Sequence, residues 1–151
     1  MPPDPMPAHP STFIGDYLPY LLAKASHEIS SEFHKEVLAA GVSVMEWRVM
    51  ASLANGQAKG VNALCATCLT KQPTMTKLVA RMIDKGWLAR SAHASDRRQS
   101  LLRLTPAGDG VLAPLLDAAK RHEAQVLKDF AASQASELKA RLLQMISAKS
   151  G

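Results

Sequence analysis

Lys71-Gln72-Pro73-Thr74-Met75-Thr76-Lys77-Leu78-Val79-Ala80-Arg81 is the stretch whose reading decides the fold. Met75, Leu78, Val79 and Met82 recur at three- and four-residue spacing, which lays one apolar stripe along a helix running to about Lys85. Gln72, Thr74, Thr76, Lys77 and Arg81 remain available outside that stripe, with Lys71 at the start, and Gly86 ends the pattern. Pro73 is tolerated because a first-turn N–H has no intrahelical partner to lose. The same pattern describes an ordinary surface helix with its Lys and Arg solvated. If the helix instead lies in a major groove, the side chains near its start can reach base edges, a task for which Gln, Thr and Lys are chemically equipped.

The neighbouring segments favour the second reading. Upstream, a short helix around Val61–Cys68 presents Val61, Leu64, Cys65 and Cys68 on one side, and Leu69-Thr70-Lys71-Gln72-Pro73 breaks it, so two helices are joined by a tight turn. Downstream the period changes to short extended runs, Trp87–Arg90 and Ser100–Leu104, around the polar loop Ser91–Gln99 with Asp96-Arg97-Arg98 near its tip. That is a winged hairpin. A hairpin so placed can put an arginine into a minor groove, with Asp96 bracing Arg98 through a charge-assisted hydrogen bond. Charge is concentrated in the same region: Lys71, Lys77, Arg81, Lys85, Arg90, Arg97, Arg98 and Arg103 face only Asp84 and Asp96, an excess larger than the +5 of the whole chain. A local basic surface on a near-neutral body suits a polyanion partner, because each neutralised phosphate releases counterions.

Flanking helices complete the reading. Ser43 caps a helix with Glu46 as its capping-box partner, Trp47, Met50, Ala51 and Ala54 facing inward, Arg48 as its polar handle and Asn55-Gly56 as its end. Before it, Asp16 caps a long helix whose Leu18, Leu22, Ala25, Ile29, Phe33 and Val37 form a stripe up to Gly41. After the hairpin, Thr105 and Pro106 open a helix reaching about Ala131, with Val111, Leu115, Leu116, Ala119 and Val126 as its stripe and a kink expected at Pro114. Ser133 caps a last helix carrying Leu138, Leu142, Leu143 and Ile146. Residues 1–12, holding five of the nine prolines, read as a flexible arm.

With 151 residues the chain fits one domain, and 47% apolar with 21% charged residues excludes wholesale disorder. Aromatic residues are only 5%, which leans the composition towards helix. No apolar run approaches the roughly 18–20 residues of a spanning helix, and the start Met-Pro-Pro-Asp-Pro lacks a secretory pattern. A cytoplasmic protein with no membrane partner is expected, with Cys65 and Cys68 as thiols.

Taken in order, these motifs resemble the MarR family of winged helix-turn-helix transcriptional regulators. The resemblance is carried by Trp47-Arg48, by Pro73-Thr74-Met75-Thr76, by Asp84-Lys85-Gly86-Trp87-Leu88, by Asp96-Arg97-Arg98 and by Leu104-Thr105-Pro106-Ala107-Gly108, spanning about Asp16 to Ile146. It implies a mainly α fold with a small β-hairpin wing, in which 13–40 and 105–151 form a helical dimerisation region and 41–104 the DNA-binding lobe. It further implies a homodimer on a pseudo-palindromic duplex, one recognition helix per half-site. By the resemblance Thr74, Thr76, Lys77 and Arg98 map to DNA binding, with Asp96 as wing support; Lys71, Gln72, Arg81 and Arg97 join the DNA-binding set as the polar and basic groups beside them. Lys71 departs from the family's usual Ser or Asp cap, so Thr70 is the alternative cap. The resemblance also implies a repressor released by a small aromatic acid or its CoA thioester, for which Tyr17, Tyr20, Ser26, His27, Ser30, Trp47 and Arg48 are the candidates. Arg48 is the fixed cation a carboxylate would seek. Tyr20 and Trp47 read equally as packing aromatics.

Rival readings are weaker. Cys65-Ala-Thr-Cys68 would serve a thiol-based redox switch, yet the sequence offers no βαβ context to lower a thiol pKa, and both thiols share the apolar side of their helix. His27, His34, His122 and Glu123 lack the tighter spacing of a metal site, so neither a metal nor another cofactor is expected. No nucleophile elbow or phosphate-cradling glycine loop points to an enzyme. A ligand-independent architectural DNA-binding protein is the remaining alternative.

Overall fold

The computed structural model describes residues 12–92 and 100–150. Its order is α1 (Leu18–Ala39), α2 (Val44–Ser52), α3 (Val61–Cys68), α4 (Gln72–Asp84), β1 (Leu88–Ala92), β2 (Ser100–Leu104), α5 (Pro106–Val126) and α6 (Ala132–Ser150). The strands pair antiparallel with Leu88 opposite Leu104 and Arg90 opposite Leu102, and Lys59 adds an isolated bridge to Leu102. This is a mainly helical winged helix-turn-helix.

One core joins the elements. Met75, Leu78, Val79 and Met82 of α4 are buried together with Val49, Met50 and Leu53 after α2's capping box, Leu64 and Cys68 of α3, Leu88 and Leu102 of the hairpin, and Leu112 and Leu115 of α5. The stripe read from α4 is therefore the one that packs. On α2 and its C-cap the fully buried residues are Val49, Met50 and Leu53, whereas Trp47, Ala51 and Ala54 are half-buried, and the helix stops at Ser52 before the 3-10 turn Ala54–Gly56.

Helix ends correct several expectations. Asp16 does not cap α1: it lies in a 3-10 turn, Ile14–Asp16, and extended Tyr17 takes the N-cap position without a side-chain cap, while Pro19 still falls in the first turn. Helix α5 stops at Val126 rather than near Ala131 and contains Pro114. Ser133 lies inside α6, where Gln134 Oε1 accepts the Ala131 N–H instead. Lys71, not Thr70, occupies the N-cap of α4 and offers no side-chain hydrogen bond. Along α1 only Phe33 and Val37 are buried; Leu18, Leu22 and Ile29 of the same stripe stay exposed.

The turn between α3 and α4 carries a strained residue. Leu69 adopts φ 55°, ψ 47° and is 87% exposed, so its side chain gains little packing for a left-handed backbone that glycine accepts without penalty. Leu69→Gly is expected to raise stability by about 0.5–1 kcal/mol, read as a higher urea midpoint at unchanged slope. An unchanged or lower midpoint would show that the exposed leucine stabilises the turn.

Candidate functional site

Helix α4 is two-sided. Its apolar stripe is sunk in the core, while Lys71, Gln72, Thr74, Thr76, Lys77 and Arg81 are all exposed, and Thr74, Lys77, Ala80 and Arg81 line a shallow concavity on its outer side. Burial of one side holds the helix rigidly and leaves its outer side free for recognition. Arg97, Arg98 and Asp96 at the wing tip lie outside the described residues.

The far end of α4 is anchored. Gly86, at φ +78°, lets the chain reverse so that Gly86 N–H reaches Ile83 O and Trp87 N–H reaches Met82 O. Lys85 Nζ donates to Glu46 Oε2 at 2.7 Å and lies 4.5 Å from the Trp87 ring centroid. Glu46, only 5% exposed, also completes the capping box: its Oε1 accepts Ser43 N–H at 2.9 Å, and Ser43 Oγ accepts Glu46 N–H at 3.1 Å. Burial alone would push the Glu46 carboxyl up, but the Lys85 ammonium and the Ser43 N–H outweigh it and hold the carboxyl below the ordinary 4.5.

Glu46→Gln keeps a capping acceptor and loses the ion pair, so at pH 7 it should cost about 1–2 kcal/mol in urea denaturation. Because the folded-state carboxyl titrates lower than the unfolded one, wild type's advantage is full above pH 4.5 and is lost as pH falls through the depressed value. The two stabilities should converge there; a constant difference would assign the loss to packing.

A second feature lies where α1, α2, α5 and α6 meet: a cavity of about 370 Å3. Ser30, Phe33 and His34 come from α1, Trp47 from α2, His122, Glu123 and Val126 from α5, and Leu138, Lys139 and Leu142 from α6. Trp47 meets Phe33 edge-on at 5.0 Å, and His122 stacks on Phe33 at 5.9 Å, so the wall is aromatic. Polar groups are few. His122 Nε2 is buried without a hydrogen-bond partner, the nearest carboxylate, Glu32 Oε2, lying at 3.7 Å. Lys139 Nζ is held by Glu123 Oε1 at 2.6 Å. Burial first, then the charges of Arg48 and His27, lowers the pKa of His34, which favours its neutral form. An apolar cavity with a few convergent polar groups suits a small amphipathic molecule.

Of the residues expected here from sequence, Ser30 and Trp47 line the cavity, while Tyr17, Tyr20, Ser26, His27 and Arg48 lie outside its lining and are exposed. Lys139, a cation on the last helix, lines it instead. Sequence reading groups His34 with His122 and Glu123 only as weak metal-ligand candidates and does not place Phe33, Lys139 or Leu142 at a cavity, since nothing local in the sequence ties α1 to α6.

Cys68 is buried 3.8 Å from Ser52 Oγ, and its burial raises the thiol pKa. It is thus a poor thiolate. Among the described residues no three His, Cys, Asp or Glu side chains converge as metal ligands, and no single helix is long and apolar enough to cross a membrane.

A family model described as MarR family matches residues 40–99. The HTH-type transcriptional regulator MT0903.1 of Mycobacterium tuberculosis is 32% identical over 80 residues, 53% of either chain, so the match spans about half the length of such curated relatives. The crystal structure of the MarR family transcriptional regulator SPO1453 from Silicibacter pomeroyi DSS-3 is 34% identical, superposes with a TM-score of 0.80, and covers 91% of this chain and 98% of that one. Two more distant structures share the fold: NadR in complex with 4-hydroxyphenylacetate (18% identity, TM-score 0.80, 93% and 97% covered) and the repressor CouR bound to a 23-mer DNA duplex (21%, 0.74, 88% and 94%).

Proposed function

The chain belongs to the MarR family of transcriptional regulators, and from that premise we propose that it is a cytoplasmic, homodimeric, sequence-specific DNA-binding repressor released by a small aromatic acid. The observation that carries this reading is the two-sidedness of α4: buried apolar residues beneath an outer row of amide, hydroxyl and basic side chains. Lys71, Gln72, Thr74, Thr76, Lys77 and Arg81 would meet one half-site, with Arg97 and Arg98 of the wing, braced by Asp96, in the adjacent minor groove. CouR, of the same fold, is a repressor seen on duplex DNA.

Dimerisation through 13–40 and 105–151 is supported by the apolar residues left exposed at both ends of the chain. Helix α6 has no buried residue, and Leu143, Ile146, Phe13 and Leu38 are all at least 60% exposed. A second copy would place two α4 helices roughly 34–36 Å apart, one turn of the duplex. Residues 41–104 serve as the DNA-binding lobe.

The effector would occupy the cavity between the lobe and the terminal helices, with its ring against Phe33 and Trp47 and its carboxylate towards Lys139. A ligand that binds one lobe separation better than another shifts the dimer off the operator only by that difference in affinity. NadR holds 4-hydroxyphenylacetate within this fold.

One experiment tests both halves. Fluorescence anisotropy on duplexes enriched from a randomised pool, against scrambled duplex, should show preferential binding that one member of an aromatic-acid panel abolishes, while the same acid quenches Trp47. Equal, acid-indifferent binding to both duplexes would favour an architectural protein; release by peroxide and rescue by thiols would favour the redox reading.

A further inference from the structure

Glu46 and Lys85 have no part in the exposed recognition row, yet they join the elements that must be held still for it to work. Lys85 closes α4 through its backbone, while its side chain reaches the first turn of α2 and covers Trp87 at the root of β1. Two residues further the same corner meets α5: Thr105 N–H donates to Trp87 O at 3.0 Å and Thr105 Oγ1 to Gly86 O. The start of α2, the end of α4, the hairpin and the start of α5 therefore share one junction.

Capping does not explain the charge. A neutral glutamine at the third helical position satisfies a capping box as well as a glutamate does. The buried Glu46 carboxylate requires a cation, and the half-exposed Lys85 ammonium supplies it at 2.7 Å across two elements, which ties the first turn of α2 to the end of α4.

We propose that the Glu46–Lys85 ion pair is a positioning device for DNA readout, setting the angle at which α4 and the hairpin leave the lobe. The inference rests on the DNA-binding reading above. Base-edge hydrogen bonds fail when donors shift by a fraction of an ångström, whereas attraction to phosphates tolerates such shifts. Loss of the pair thus reduces discrimination between sequences and spares non-specific affinity.

The test uses the duplex that wild-type protein enriches from a randomised pool, a scrambled duplex, and the variants Glu46→Gln, Lys85→Met and Lys85→Arg. The ratio of affinities for the two duplexes should fall about tenfold in Glu46→Gln and Lys85→Met. Glu46→Gln should keep its scrambled-duplex affinity and salt slope, and Lys85→Arg, which retains both the charge and the stacking on Trp87, should keep the wild-type ratio. A Glu46→Gln ratio within twofold of wild type would overturn the proposal. So would a Lys85→Met loss equal on both duplexes with Glu46→Gln unaffected, which would make Lys85 a direct phosphate contact. Enrichment of no duplex by wild type would overturn the DNA-binding reading itself, and this inference with it.

Discussion

Gly108→Ala is expected to destabilise the protein by about 3 kcal/mol or more, lowering the melting temperature on the order of 10 °C. A Cβ at Gly108 would stand inside contact distance of Trp87 O and 3.0 Å from Leu104 Cδ2. The obstacle is backbone, and it cannot swing away. Trp87 O is fixed by accepting Thr105 N–H at 3.0 Å, while Gly108 N–H donates to Thr105 Oγ1 at 3.0 Å as part of the α5 cap. Making room means lifting α5 from the root of the wing and breaking those bonds together. Gly110, two residues on, has nothing within 4 Å of its own Cβ position, so Gly110→Ala should stabilise by about 0.5–1 kcal/mol through helix propensity. Thermal or urea unfolding of the two variants checks the contrast, and equal effects would contradict the close approach of α5 to Trp87.

Joint replacement of Lys77 and Arg81 by alanine, which removes four cations from a dimer, is expected to weaken binding to all duplexes about 30-fold per half-site at 0.15 M salt, on the order of 900-fold for the dimer. Each cation that neutralises a phosphate contributes about 0.9 to the slope of log affinity against log salt, or about fivefold at that concentration. The slope should therefore fall by about 2 per half-site, or about 4 for the dimer. Both side chains are exposed on the outer side of α4 and line its concavity with Thr74, so their loss should leave the core and the melting temperature nearly unchanged. An unaltered slope would remove α4 from the phosphate backbone. A loss confined to the enriched duplex would move one of the two cations from phosphate to a base edge.

What could be read from the sequence was the local part. The stripe Met75, Leu78, Val79 and Met82, the capping box of Ser43 and Glu46, the cap at Thr105 and the stop at Gly86 all rest on residues within four or five positions of one another. Helical and strand periods translate such spacings directly into faces and ends. The helix-turn-helix with its hairpin follows from these alone. Where the local signal was ambiguous, it misled: Asp16 and Ser133 are good capping residues by type, but neighbouring turns took the caps elsewhere.

Tertiary structure decided the rest, because which residues meet depends on how helices cross, and periodicity carries no information about crossing. The α1 stripe is continuous in sequence, yet only its C-terminal part, Phe33 and Val37, is buried in the core with residues of α5 and α2. Arg48 is the fixed cation among the residues read from sequence for an acidic ligand, but it lies outside the cavity lining, which includes Lys139 from a helix more than ninety residues away. Glu46 read simply as a cap. Its pairing with Lys85, 39 residues on, exists only because the core brings the first turn of α2 against the end of α4.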